Sequence, residues 1–287
     1  PLFSMPDCVS CVVAAGRKKT LFAARYFAEV RGVPCAVFPS DGALFGAYEP
    51  QTELLCGGIT TTSALRTSEI YCDAAIIKKC AGAYAALLLS RLALLEARVL
   101  RSFRISCGNA QAEERMFSLF SQLPAEPNEE DVVRWNAEMR RAEREGAYIG
   151  EGTVLADLLR AEGVSAPEWC AYTQLSALYF IFFTRGKPRK YFIPNYAARS
   201  VVAGTEYPAQ NIPTEAEFAS RSVALEAMRA QFAAETASIV KRKTAYNRTF
   251  LALGGCPQSA GLSTLKKLPE VTSGLTAIIR DFGLMDW

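Results

Sequence analysis

The segment Asp7–Gly42, DCVSCVVAAGRKKTLFAARYFAEVRGVPCAVFPSDG, constrains the fold more than any other stretch of the chain. Val9, Cys11, Val12 and Val13 form a short apolar run that Gly16 breaks. From Thr20 the spacing becomes helical, with Leu21, Ala24, Phe27, Ala28 and Val30 on one side. Gly32 and Pro34 stop that helix, and Cys35–Phe38 reads as a second buried strand ending at Pro39. Strand, glycine turn, helix and strand in this order predict a parallel α/β unit. Free amides at such a helix N-terminus, together with the helix dipole, point at any anion bound in the turn.

The residues within this segment carry a resemblance. Lys19-Thr20-Leu21-Phe22-Ala23-Ala24-Arg25 is similar to the GGGKTLDTAK signature of glycerol dehydrogenases, in the iron-containing alcohol dehydrogenase superfamily. Phe38-Pro39-Ser40-Asp41-Gly42 resembles the superfamily's VPT…(S)xDG loop, in the form found in glycerol-1-phosphate dehydrogenases. Leu88-Leu89-Ser90-Arg91 looks like the GxGDLLAK helix. Glu69–Asp73 resembles the VLVD strand, and Val271–Leu275 with Gly283–Asp286 resembles the RYTVLDLL…GLLD terminus. The patches occur in family order and cover about half the chain; residues 105–245 match no part of the pattern.

That resemblance implies a Rossmann-like α/β N-terminal part followed by an all-α C-terminal domain, the dehydroquinate synthase-like architecture. It implies NAD or NADP as cofactor and a polyol or polyol phosphate as substrate. By carry-over, Gly16, Arg17, Lys18, Lys19, Thr20 and Ser40 would line the cofactor and Asp41 the substrate hydroxyls. In such enzymes a metal polarises the alcohol oxygen so that hydride can leave to the nicotinamide. The phosphate turn also arrives early for the family. Either the chain is a truncated form, with part of the sheet missing, or Met5 marks a start in a shortened gene.

The departures bear on chemistry. The three-glycine turn is Gly16-Arg17-Lys18 here, which puts long side chains where a pyrophosphate approaches bare backbone. The Asp of KTLDTAK is Phe22, and the metal-binding Asp falls near Leu87. The chain has no histidine, while the family's metal is usually held by one Asp and two His. No metal is therefore expected, nor a Ser-His-Asp or Cys-His hydrolase. The expected protein is a degenerate dehydrogenase relative. The alternatives are an active enzyme in which Lys19 or Tyr84 stands in for the metal, and a non-catalytic scaffold whose helical part forms a homo-oligomer or partner surface.

A length of 287 residues, half of them hydrophobic, suits one or two globular domains. The formal charge of +3 implies no nucleic-acid partner. The longest apolar runs, Ala81–Leu89 and Leu175–Phe183, fall short of the ~20 residues that cross a bilayer. No secretory signal is read at the N-terminus. Nine cysteines, among them Cys11, Cys35, Cys72 and Cys80 in apolar stretches, predict buried reduced thiols and a cytoplasmic protein. Cys8-Val9-Ser10-Cys11 lacks a second ligand pair and reads as structural.

A division near Asp73 is expected, with 1–73 a partial nucleotide-binding domain and 74–287 helical. Tyr48–Thr67 reads as a hairpin or meander, and Asp73 as the cap of a helix from Ala74. Helices are expected at Ala81–Phe103, Ala110–Leu123, Glu129–Glu145, Thr153–Ala161, Ala171–Phe183, Pro213–Phe250 and Glu270–Phe282. Asn128 and Thr214 are expected caps, and Gly254-Gly255 ends the long helix. Arg185–Lys190 reads as a solvated basic loop, and Glu113/Glu114 and Glu129/Glu130 as exposed pairs. Asp41-Gly42 also fits a simple turn.

Overall fold

The computed structural model describes residues 8–40, 44–56, 59–66, 68–77, 81–105, 107–122, 127–164, 166–184, 214–252, 262–272 and 274–282. Asp41, Cys80, the basic stretch Arg185–Lys190 and Gly254-Gly255 lie outside these residues. Every strand among the described residues precedes Asp73, and helices follow from Ala74 onward. The expected order of a small parallel sheet and then helices is therefore the observed one.

Strand β1 (Val12–Gly16) leads through Arg17 into helix α1 (Lys18–Arg31), and β2 (Cys35–Pro39) returns parallel to β1. Gly32 closes α1 in the left-handed conformation, φ 66°, with its amide on the Ala28 and Glu29 carbonyls. β3 (Gln51–Cys56) and β4 (Ile59–Ala64) form the expected antiparallel hairpin, in register from Gln51–Ala64 to Cys56–Ile59. β5 (Glu69–Ile70) then pairs parallel with β2, giving the order β1-β2-β5.

One face of this sheet packs on α1. Ala14, Leu21, Ala28, Cys35, Val37 and Ala47 are buried together, with Val12, Ala24, Val33, Tyr48 and Ile70 against them. One member of the predicted apolar stripe, Val30, departs from expectation, and Arg25, outside that stripe, lies on the inner side in its stead. Val30 is 61% exposed, while Arg25 is buried on the inner side of the helix. The other face of the sheet carries exposed Val13 and Phe38, and Phe38 stacks on Tyr71 at 5.1 Å.

The thiols do not follow the expectation uniformly. Cys35 is buried inside β2, but Cys11 lies before β1 and Cys72 after β5, and both are exposed, as is Cys8. They flank the strands instead of occupying them, so no neighbouring element covers them.

The helices are α2 (Ala74–Ile77), α3 (Ala81–Ser102), α4 (Ala110–Ser121), α5 (Glu129–Arg144), α6 (Glu151–Ala161), α7 (Pro167–Thr184), α8 (Glu215–Ala252), α9 (Leu262–Val271) and α10 (Leu275–Asp281). Three predicted starts are chemically explicit. The Asp73 carboxylate accepts the Ala75 amide at 2.8 Å. Asn128 and Asp131 close a reciprocal capping box at α5, and Thr214 and Glu217 another at α8. The single helix expected over Glu270–Phe282 is instead two, α9 ending at Val271 and α10 starting at Leu275.

The chain divides into two compact units, residues 1–87 with 114–147, and residues 88–113 with 148–287. The first holds the sheet. In the second, α6, α7 and α8 pack in succession, and a ring cluster of Phe182, Phe183, Phe218, Phe232 and Phe282 fills the interior at centroid spacings of 4.9 to 6.0 Å. Among the described residues no helix is long and apolar enough to cross a membrane.

Candidate anion-binding turn

Gly16 ends β1 with φ 152°, and a Cβ there would sit 3.0 Å from Cβ of Thr20. The turn therefore needs glycine, because Thr20 folds back over it. Arg17 is extended at the N-cap of α1, and its side chain makes no cap bond. The helix has no acidic residue in its first turn. The Ser40 amide donates to the Gly16 carbonyl at 2.9 Å, joining the ends of β1 and β2. Gly16, Arg17, Lys18, Lys19, Thr20 and Ser40 are thus neighbours at the C-terminal edge of the sheet, where ligands of open α/β sheets bind.

The expected obstruction by long side chains applies unevenly. Arg17 and Lys19 are exposed, whereas Lys18 is half-buried. Its Nζ lies 5.7 Å from the Phe22 ring centre and 5.6 Å from that of Phe45, so the two rings hold this ammonium. Phe22 thus has a part in positioning Lys18.

Arg140, near the end of α5, lies over the Phe45 ring at 4.6 Å and pairs with Glu143 at 2.6 Å. Burial raises the Glu143 carboxyl to about 6, opposed by Arg140 and Lys18. Sequence reading missed this group, since Phe45 lies far along the chain from Arg140 and Glu143 of α5.

The segment Leu44–Pro50 is held on α1 by a buried guanidinium. Arg25 donates through Nε to the Arg66 carbonyl at 2.9 Å, through Nη1 to Gly46 at 2.8 Å and through Nη2 to Glu49 at 2.6 Å. Burial lowers its pKa, and the Glu49 carboxylate opposes that shift. Gly46, at φ 85°, brings its backbone against the first turn of α1; a Cβ would lie 2.8 Å from the Lys18 carbonyl oxygen. Gly46→Ala is expected to lower stability by about 1–3 kcal/mol, from left-handed strain and contact with backbone that cannot yield. A urea midpoint within error of the parent protein would refute this.

The position resembling the family's metal-binding aspartate, Leu87, is completely buried hydrocarbon and offers no ligand atom. With no histidine in the chain, the usual ligand set does not fit here. Tyr84, the suggested stand-in acid, is buried.

The carboxylates also depart from expectation. Glu113 is buried, not exposed, and accepts the Tyr148 amide at 3.0 Å while pairing with Arg101. A buried acidic pair, Glu96 and Glu151, went unnoticed in the sequence. One visible signal was Glu96 as the sole acid between Leu92 and Leu100.

No family model matches the chain, and no curated relative does. Solved structures similar to it include the glycerol dehydrogenase from Schizosaccharomyces pombe, at 13% identity and a TM-score of 0.46, covering 90% of this chain and 75% of that one. A probable glycerol dehydrogenase from Sinorhizobium meliloti 1021 is similar at 12% identity and 0.44, over 81% and 78%. An iron-containing alcohol dehydrogenase from Corynebacterium glutamicum is similar at 14% and 0.45, over 92% and 67%.

Proposed function

We propose that this chain is a divergent relative of the glycerol and glycerol-1-phosphate dehydrogenases that keeps an anion-binding turn and has lost the metal-assisted oxidation. The supporting observation is the N-terminus of α1 at the sheet edge, where Arg17 makes no side-chain cap bond, Arg17 and Lys19 are exposed and Ser40 is tied to Gly16. Its first amides, Lys18 to Thr20, would bind a phosphate or pyrophosphate, and the two exposed cations would add charge-assisted bonds. The motif resemblance in this segment supplies the ligand class: NAD, NADP or a polyol phosphate.

The lost chemistry follows from the donor set. A metal in the family site supplies Lewis-acid polarisation worth several kcal/mol. Leu87 and the absence of histidine leave that site without its usual ligands. The reading is tested by calorimetry and thermal shift with NAD, NADP and glycerol phosphates, alongside elemental analysis and a sensitive NAD(P)H assay. Binding that weakens in an Arg17→Ala/Lys19→Ala double variant and fades with salt, without turnover, is the expected outcome. Stoichiometric iron or zinc, or measurable turnover, would overturn the loss of chemistry; no binding by any of these ligands would overturn the anion site.

A further inference from the structure

The helical unit contains a polar knot that the proposed anion site does not use. Glu96 of α3 and Glu151, the first residue of α6, are both buried, at 0% and 1% exposure. Glu96 Oε2 accepts the Glu151 amide at 2.8 Å, so a carboxyl from α3 caps the start of α6. Gly150, φ 85°, permits that approach; a Cβ there would meet the Ala93 Cβ at 2.4 Å. Glu151 repeats the device one helix further on. Its Oε2 accepts the Thr276 amide at 2.8 Å in the first turn of α10. Its Oε1 accepts the Thr272 hydroxyl at 2.5 Å and also that of Thr276. Gly274 makes room, since a Cβ would stand 2.4 Å from the Glu151 carboxyl carbon.

Tyr179 of α7 joins the two caps. Its hydroxyl lies 2.8 Å from Glu96 Oε1 and 3.1 Å from Glu151 Oε2. A phenol carries one proton and can donate to only one of them. With both carboxylates ionised, the second contact would set two unprotonated oxygens against each other in a dry interior. A carboxyl proton resolves the geometry. Besides Tyr179, Glu151 faces three donors (the Thr276 amide and two hydroxyls), while Glu96 faces the Glu151 amide and the Tyr148 hydroxyl. The anion therefore belongs on Glu151 and the proton on Glu96.

We propose that Glu96 donates a proton to the Tyr179 oxygen and Tyr179 donates to the Glu151 carboxylate, forming a one-proton latch that holds α10 on the start of α6 and opens when that proton is lost. Burial first, then the Glu151 charge, pushes Glu96 up to about 8. Burial raises Glu151 too, against the bonds from Thr272 and Thr276. The phenols of Tyr148 and Tyr179 are driven upward by burial and by the carboxylates, so they keep their protons. Cys107 adjoins Tyr148, while Glu113 holds the Tyr148 amide and pairs with Arg101. On α10, Arg280 donates to the Pro269 carbonyl.

The Glu96 carboxyl titrates higher folded than unfolded, so its contribution is full below the unfolded value and is lost as pH rises to about 8. Above about pH 6.5 Glu143, raised to about 6, is mostly ionised, and from there to about pH 8 the parent's unfolding constant should rise by up to about tenfold per pH unit. Glu96→Gln, whose amide donates to Tyr179 and accepts from Glu151, should lose that slope. Infrared spectra near neutral pH should show the C=O stretch of a buried carboxylic acid in the parent, fading as pH rises and missing from E96Q. An unchanged slope in E96Q, or no acid band in the parent, overturns the latch. If E96Q does not fold, presence or absence of the titrating band in the parent decides alone.

Discussion

Arg25→Met should cost about 3–5 kcal/mol, because it strands backbone carbonyls that this buried guanidinium serves. Methionine fills much of the space but leaves the carbonyls of Gly46, Glu49 and Arg66 without the donor that now satisfies them. Each such buried acceptor costs about 1–3 kcal/mol when stranded. Glu49 would also lose the guanidinium that faces it. Against a typical domain stability of about 5–15 kcal/mol, the sheet-bearing unit should unfold at much lower urea. Arg25→Lys should recover only a minor part, because one ammonium cannot reach three divergent carbonyls as a planar fork does. Urea titration followed by near-ultraviolet circular dichroism measures both variants. A methionine variant within about 1 kcal/mol of the parent, inside the range of ordinary surface substitutions, would show that this guanidinium does not hold the segment.

That residue also marks where sequence reading stops. β1, α1 and β2 were legible because their signals are local: a glycine at the turn, a left-handed glycine at Gly32, apolar residues three and four apart. The caps at Asp73, Asn128 and Thr214 were legible for the same reason, since donor and acceptor lie two or three residues apart. Arg25 finds its partners 21 to 41 residues away, and nothing in KTLFAAR distinguishes a buried arginine from a solvated one. Its burial also explains the misplaced stripe: α1 turns Arg25 inward and leaves Val30 in solvent.

The same limit applies to the turn. The basic run at Arg17–Lys19 was visible, but its distribution was not. Phe45 and Phe22 take up Lys18, which leaves Arg17 and Lys19 as the exposed pair. A single helix through Thr272–Gly274 was a fair reading of Glu270–Phe282 by periodicity. Glu151 breaks it by approaching so closely that only a glycine fits at 274, and by taking the Thr276 amide as the start of a new helix.

Glu151→Ala should be the most damaging change in the helical unit, at about 3–5 kcal/mol. It removes an acceptor from the Thr276 amide and from the hydroxyls of Thr272 and Thr276, and it empties a side-chain volume beside Gly274. The α10 helix has only seven residues and no side-chain cap of its own. Without Glu151 its amides should exchange with solvent by local opening before the rest of the unit unfolds, which hydrogen exchange resolves by residue. Removing both carboxylates should cost less than the two single losses added together. Glu96 is pushed upward first by burial and then by the charge of Glu151, so without that neighbour the repulsion between them is gone and only burial still favours its proton. A non-additivity of about 0.5–3 kcal/mol in the Glu96→Ala/Glu151→Ala cycle is expected, the range for groups in one network. Strict additivity would mean the two carboxyls act separately, as two helix caps that merely lie near the same tyrosine.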